Sequence, residues 1–340
     1  MNVNNKPFSI PINRRDLFKY SCIAGTSLMF GLYKGGTAMS NTQASRVSLV
    51  RTTNRTSGVE GSIDALQTNP VKGKEVLVKP NFNTADAFPG STHNDTLAAL
   101  IQKLWDMGAA SIRLGERSYP PTQRVMQDKG IYPLMEDLGV QILNFDDLPE
   151  KDWVKVDAPD SHWRDGFRVA RPVLEAECLV STCCLKTHQY GGVFTMSLKL
   201  HVGVVPTSRH GFSYMDELHS SPHQRKMIAE INAPFRPDLV VLDGIEAFVD
   251  GGPMTGKRAR GEVFLASSDR VALDASAVAV LKHLGSNERI MKPKIYEQEQ
   301  IARAAELGLG AQSASAIEMV PGDRESNEFC RQVDEILRKG

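Results

Sequence analysis

Cys178-Leu179-Val180-Ser181-Thr182-Cys183-Cys184-Leu185-Lys186-Thr187-His188 is the stretch that decides the fold. Its first eight residues are apolar or small and carry no charge, the composition of a strand covered on both faces. Three polar residues follow directly. Ligands of open parallel sheets bind beyond the carboxyl ends of strands, so Lys186 and His188 are expected near the surface of a cleft, where packing does not need them.

Outward from that strand the chain alternates short apolar runs with helical periods. Strands are read at 46–50, 75–78, 111–114 and 140–143. Between them lies a helix at 96–107, apolar at Leu97, Leu100, Ile101, Leu104 and Trp105 and stopped by Gly108. The 125–138 segment reads as helical but is interrupted by Gly130 and Pro133. Further strands fall at 239–242, 262–266 and 317–320, and helices at 270–284, 298–307 and 325–338. This rhythm predicts an α/β fold, a largely parallel or mixed sheet flanked by helices, in one body or two lobes. The polar stretch 146–171, with Trp153 and Trp163, reads as an excursion or lobe junction. The domain reading is a leader at 1–38, the α/β domain at 45–325, and a C-terminal helix at 326–340.

The 340 residues are 41% hydrophobic, enough for a sizeable core. Residues 1–38 hold five basic residues and one acidic. The remainder has 35 basic and 39 acidic residues, a net of −4, which does not favour nucleic acid. Of five cysteines, Cys22, Cys178, Cys183, Cys184 and Cys330, no two form a C-x-x-C pair. No iron–sulfur or four-cysteine zinc site is therefore expected.

Asn13-Arg14-Arg15-Asp16-Leu17-Phe18-Lys19 resembles the twin-arginine export motif. A mildly apolar stretch from Cys22 to Tyr33 follows, and Gly36-Thr37-Ala38 offers small residues for cleavage. The expectation is export to the periplasm in folded form, with the twin-arginine translocase as a transient partner.

The residues that carry chemistry gather downstream of the central strand. Lys199 and His201 come soon after Lys186 and His188, then Arg209, His210, His219 and His223; five of the eight histidines fall between 188 and 223. Ser221-Pro222-His223-Gln224 reads as a capping box that starts a helix and leaves His219 in the loop before it. Asp243 ends the 239–242 strand and should face the same crevice as His188 and Lys199. Asp269 is read as a helix N-cap and Asp274 as a carboxylate on a small-residue helix face, which needs a partner. Lys79, Asn81 and Glu116 leave two other strands, and Gly251-Gly252-Pro253-Met254-Thr255-Gly256 is a turn whose glycines permit close approach to a ligand. These residues divide into catalytic candidates (Lys186, His188, Lys199, Asp243), ligand or cofactor binders (Lys79, Asn81, Gly251, Gly252, Asp274) and possible metal ligands (His188, His201, His219).

Taken in order, several of these stretches resemble the domain-of-unknown-function family 362. They are Val78-Lys79-Pro80-Asn81, Cys184-Leu185-Lys186-Thr187-His188, Ser197-Leu198-Lys199, Val241-Leu242-Asp243-Gly244, Gly251-Gly252-Pro253 with Gly256, and the run from Ala266 to Ala275. The resemblance covers about residues 74–322. Members of that family often carry ferredoxin modules; this chain has no such cysteine run, so a redox role implies a separate redox partner. Family members usually read Lys-Asn where this chain has Lys199-Leu200. A more distant likeness, of pattern only, is to nickel-pincer lactate racemases. The leading expectation is a cofactor- or metal-dependent, redox-type enzyme acting on a small-molecule ligand. The alternative is a non-catalytic ligand-binding or assembly protein of the cell envelope.

Overall fold

Cys178–His188 lies at the middle of a nine-stranded sheet in the computed structural model, which describes residues 9–11, 44–158 and 160–340. The strands are β1 (Ser45–Arg51), β2 (Glu75–Lys79), β3 (Ser111–Glu116), β4 (Gln141–Asn144), β5 (Cys178–His188), β6 (Val193–Thr195), β7 (Leu239–Gly251), β8 (Gly256–Ser267) and β9 (Ile317–Pro321). Their order is β9-β1-β8-β7-β5-β2-β3-β4, with β6 paired to β5. The run β7-β5-β2-β3-β4 is parallel, as is β9 with β1. β8 is antiparallel to both neighbours because a tight glycine turn folds it back from β7. The sheet is thus mixed and mostly parallel, flanked by helices on both faces, as the strand–helix rhythm predicts.

Alternation along the strands divides the core between the two faces. Cys183, Leu185, Leu242 and Leu265 face the helix Arg270–His283, together with Leu198 and Leu200. That helix is buried from Arg270 to Leu281, since it also lies under the helices Glu299–Glu306 and Asn327–Lys339. On the other face Val78, Val180, Val241 and Phe264 meet Leu97, Leu100 and Leu104 of the helix Asn94–Asp106, and Val59 and Ile63 of Arg55–Asp64. A third cluster joins Trp153, Trp163 and Phe167 to Leu179, Met227 and Ile228. It lies where the 146–171 excursion forms a small sheet: Trp153–Asp157 pairs antiparallel with Phe167–Ala170 and parallel with Ser9–Pro11.

Local chemistry moves several boundaries. The helix Asn94–Asp106 begins before position 96 because the His93 side chain caps it, Nδ1 accepting from Asp95 N at 3.1 Å. The 125–138 segment is two helices, Thr122–Asp128 and Ile131–Asp137, divided at Gly130 with φ 65°. His219 is not in a loop: it closes the helix Tyr214–Ser220, and the next helix starts at Gln224. The arginine pair at 14–15 and the cleavage region at 36–38 lie outside the described residues. Among the described residues no helix is long and apolar enough to cross a membrane.

Candidate functional site

Lys186, Thr187 and His188 are not beyond β5 but its last three residues, all buried. β6 returns beside them and extends the ladder, pairing Lys186 with Thr195 and His188 with Val193. Lys186 is fully buried, with Nζ donating to Gly90 O at 2.5 Å and Pro253 O at 3.4 Å. Burial pulls its affinity for a proton down and Lys129 adds to that, while the Asp86 carboxylate acts in the opposite sense. The neighbouring thiols of Cys183 and Cys184 provide no counter-charge near neutrality, because burial pushes both up, Cys184 to about 11. His188 is held uncharged by burial and by the positive charges of Lys199 and Lys186. Its Nδ1 is buried without a hydrogen-bond partner. Orphaned buried polar atoms of this kind are uncommon and mark sites completed by something else.

Lys199 meets His188 across Gly192. A methyl group on Gly192 would lie 2.7 Å from Lys199 Cε and 3.0 Å from His188 Nδ1, so glycine is needed for the two side chains to converge. Lys199 sits in the single turn Ser197–Leu200. That turn is fixed by Asp274, whose carboxylate oxygens accept from Ser197 N at 2.8 Å and Leu198 N at 3.0 Å. Among the described residues neither a hydrogen bond nor an ion pair reaches Lys199 Nζ. Burial, Lys186 and Arg117 together lower its pKa to about 8. Both of these neighbouring charges are positive. Arg117 is buried as well, held by Thr207 Oγ1 at 2.9 Å and Val202 O at 3.0 Å, with Nε unpartnered. His219, exposed at the rim, donates from Nδ1 to Met215 O at 2.6 Å and feels both Lys199 and Arg117. Three further buried hydroxyls on the same hairpin and turn, Thr182 Oγ1, Thr195 Oγ1 and Ser197 Oγ, have no partner.

The other candidates lie elsewhere or are occupied. Asp243 is opposite Cys184 in the β7–β5 register. Val241 on its face packs against the Asn94–Asp106 side, whereas Leu242 packs with Leu198. Asp243 is therefore not in one crevice with Lys199: it accepts from Thr96 Oγ1 at 2.5 Å, Arg55 Nε at 3.1 Å and Ile245 N at 3.0 Å on the far side of the sheet. Lys79 is neutralised by Glu116 at 2.5 Å, which also accepts from Phe82 N and Arg117 N. Asn81 retains a buried, unpartnered Oδ1. Gly251 and Gly252 have φ 75° and 67°, and their close approach is to the chain itself. A methyl on Gly252 would stand 2.1 Å from Thr187 O, and Gly252 O accepts from Gln189 N at 3.2 Å.

The three histidines expected to hold a metal do not form a ligand set. His201 is fully buried with Nδ1 2.7 Å from Asn232 Oδ1 and Nε2 3.1 Å from Ser181 Oγ. Asn232 Nδ2 already donates to Leu198 O and Ile228 O. His201 Nδ1 is therefore the donor and Nε2 accepts the Ser181 hydroxyl, so neither nitrogen is free. Among the described residues no group of three or more His, Cys, Asp or Glu side chains stands ready for a metal ion. Sequence reasoning missed Arg117, Thr195, Ser197 and Gly192. Arg117 had a signal, since it directly follows Glu116 at the carboxyl end of β3; the others show only once β6 is seen to fold back.

The site is thus His188 at the end of β5 and Lys199 on the following turn, with Lys186 and Arg117 close enough to act on Lys199 and with Glu116, Asp146 and Asp86 acting on those two in turn. Lactate racemase apoprotein from Thermoanaerobacterium thermosaccharolyticum aligns with 84% of this chain and 85% of its own, at 13% identity and a TM-score of 0.40. A thylakoid-associated protein of Synechocystis sp. is 27% identical over 213 residues, 62% of this chain. The match spans 64% of that relative's length, less than two thirds of it. Residues 76–279, which include Lys79, Lys186, His188, Lys199, Asp243 and Asp274, match the family model described as Domain of unknown function (DUF362); the chain belongs to that family.

Proposed function

We propose that the protein is an enzyme acting on a small anionic ligand, with Lys199 and His188 touching the ligand and Lys186 and Arg117 supplying the attractive field. The observation that carries this reading is Lys199: a half-buried side chain whose Nζ has no partner among the described residues and on which two positive charges, Lys186 and Arg117, act. Burying cations close together costs stability, even though Glu116 and Asp146 near Arg117 and Asp86 near Lys186 offset part of it. Such an arrangement is offset when a negative ligand is bound. A neutral His188 beside the lysine, its Nδ1 without a hydrogen-bond partner among the described residues, adds a polar atom that can orient a reacting group, which a plain binding protein does not need. A metal-centred or redox reaction has less support, because the His, Cys, Asp and Glu side chains do not gather among the described residues. Export by the twin-arginine route is part of the same proposal and rests on the 13–19 motif alone.

The test is calorimetric titration of wild type, Lys199→Met and His188→Gln with oxalate and with inorganic phosphate. Wild type is expected to bind at least one of the two. Lys199→Met should weaken that binding about ten- to a hundredfold, the loss of one charge-assisted contact. Equal binding by wild type and Lys199→Met, or no binding of either anion by any form, overturns the reading.

A further inference from the structure

The lysines around the site are of two kinds. The amines of Lys79 and Lys186 are occupied: Lys79 donates to Glu116 and to Pro80 O, and Lys186 to two backbone carbonyls. Lys199, by contrast, has no carboxylate and no carbonyl on its Nζ among the described residues. It is also held in place independently of its own amine, because Asp274 fixes the turn through Ser197 N and Leu198 N. A side chain positioned by its backbone, with its terminal group left open, is arranged to react rather than to support. Two features favour the neutral amine there, partial burial and the adjacent charges of Lys186 and Arg117. The neutral amine is the nucleophilic form of lysine. Across Gly192 stands His188 Nδ1, uncharged and without a donor or acceptor of its own.

Resting on the anion-binding reading above, we infer that Lys199 forms an imine with the carbonyl carbon of an aldehyde or 2-oxo acid whose carboxylate lies in the field of Lys186 and Arg117. The Nζ lone pair attacks the carbonyl carbon, and the carbonyl π pair moves to oxygen. One N–H proton of the new centre passes to that oxygen, giving the carbinolamine, while the neutral His188 Nδ1 accepts a hydrogen bond from the nitrogen and orients it. The remaining N–H proton passes to the hydroxyl, which leaves as one water as the nitrogen pair forms the C=N bond. The C=N bond replaces C=O with no change of oxidation state. Thr195 Oγ1, opposite Lys186 in the β5–β6 register, and Ser197 Oγ, on the turn that carries Lys199, are buried and unpartnered among the described residues.

The test is trapping with glyoxylate and sodium cyanoborohydride near neutral pH, with oxalate as competitor, read by peptide mapping. Cyanoborohydride supplies the hydride that reduces the imine, leaving one carboxymethyl group on the nitrogen. Lys199 is expected to be modified about tenfold or more faster than the other lysines, because its neutral fraction is the larger. Oxalate, which has the charges but no electrophilic carbonyl of this kind, should protect it. Lys199→Arg should abolish the fast modification and leave the slow background on other lysines. Oxalate binding without preferential labelling of Lys199 overturns the imine and leaves the anion site standing. Labelling of Lys199 that oxalate does not slow removes the anion site, and with it the proposal. A variant His188→Gln that folds and labels as fast as wild type overturns the orienting role assigned to His188.

Discussion

Replacing Lys199 with methionine keeps the length of the side chain and removes its charge, which makes the energetic cost of the site measurable. In the unfolded chain this amine titrates near 10.5, and in the fold at about 8. Between those values the unfolded chain binds more protons than the folded one, so this residue makes wild type gain stability as pH rises through the window. The cost is fully present below pH 8. At pH 7 it amounts to about 3 kcal/mol, and at pH 9.5 to roughly half of that. Lys199→Met is therefore expected to be more stable than wild type by up to about 3 kcal/mol at pH 7, with the advantage shrinking as pH rises. Urea unfolding of both proteins at the two pH values, with slopes checked for constancy, measures the difference. A variant no more stable than wild type at pH 7, or a difference that does not shrink toward pH 9.5, refutes the reasoning. The same substitution should weaken oxalate or phosphate binding, the usual opposition between stability and function at a strained site.

Leu242→Ala, fully buried against the Arg270–His283 helix, should cost about 2–5 kcal/mol by chemical unfolding. Gly252→Ala should destabilise the β7–β8 turn by roughly 1–3 kcal/mol or more, because φ is 67° and the new methyl meets Thr187 O at 2.1 Å; a melting temperature equal to wild type would contradict that contact. Asp274 is raised to about 7 by burial, so the folded protein binds its proton more tightly than the unfolded chain and wild type loses stability as pH rises from about 4 to 7. Asp274→Asn lacks that slope, so its stability relative to wild type should improve between pH 5 and pH 7, while Lys199 labelling slows as the turn loses one acceptor. Arg14→Lys combined with Arg15→Lys should leave the precursor in the cytoplasm, and normal recovery of that double variant from the periplasm would end the export proposal.

The place of β5 was legible because eight uncharged residues in a row have few other uses. Its end was not, since lysine and histidine are rarely buried and the rule that puts them at the surface is a good one. Only the return of β6, a three-residue strand with Gly191-Gly192 before it, makes room for them. Asp243 and Asp274 show a different limit. Asp243 was expected in one crevice with His188 and Lys199, but the face it takes follows from its register with β5, and Asp274 sits on a helix whose contact with Ser197 N and Leu198 N no spacing in the sequence announces. The histidines were grouped by nearness in sequence. The turns at 197–204 carry His201 into the core beside Asn232, while the helix Tyr214–Ser220 holds His219 at the rim. The ordered motifs were the firmest signal, and the family match covers them.

The position of β1 bears on the order in which this molecule can be assembled. It is the first strand of the large sheet, yet both its neighbours come last: Val47 is in register with Ser267 of β8 and Met319 of β9. A ribosome that has released β1 must make more than two hundred further residues before either edge of that strand finds its partner. Until then its inward-facing Val47 and Leu49, both fully buried in the finished protein, stay uncovered. Pairing over such distances in sequence slows folding, and the exposed apolar strand invites association with other chains in the interval. Completion of the fold is thus tied to completion of synthesis, and a chaperone that shields residues 45–51 would have its largest effect on yield rather than on the stability of the final product.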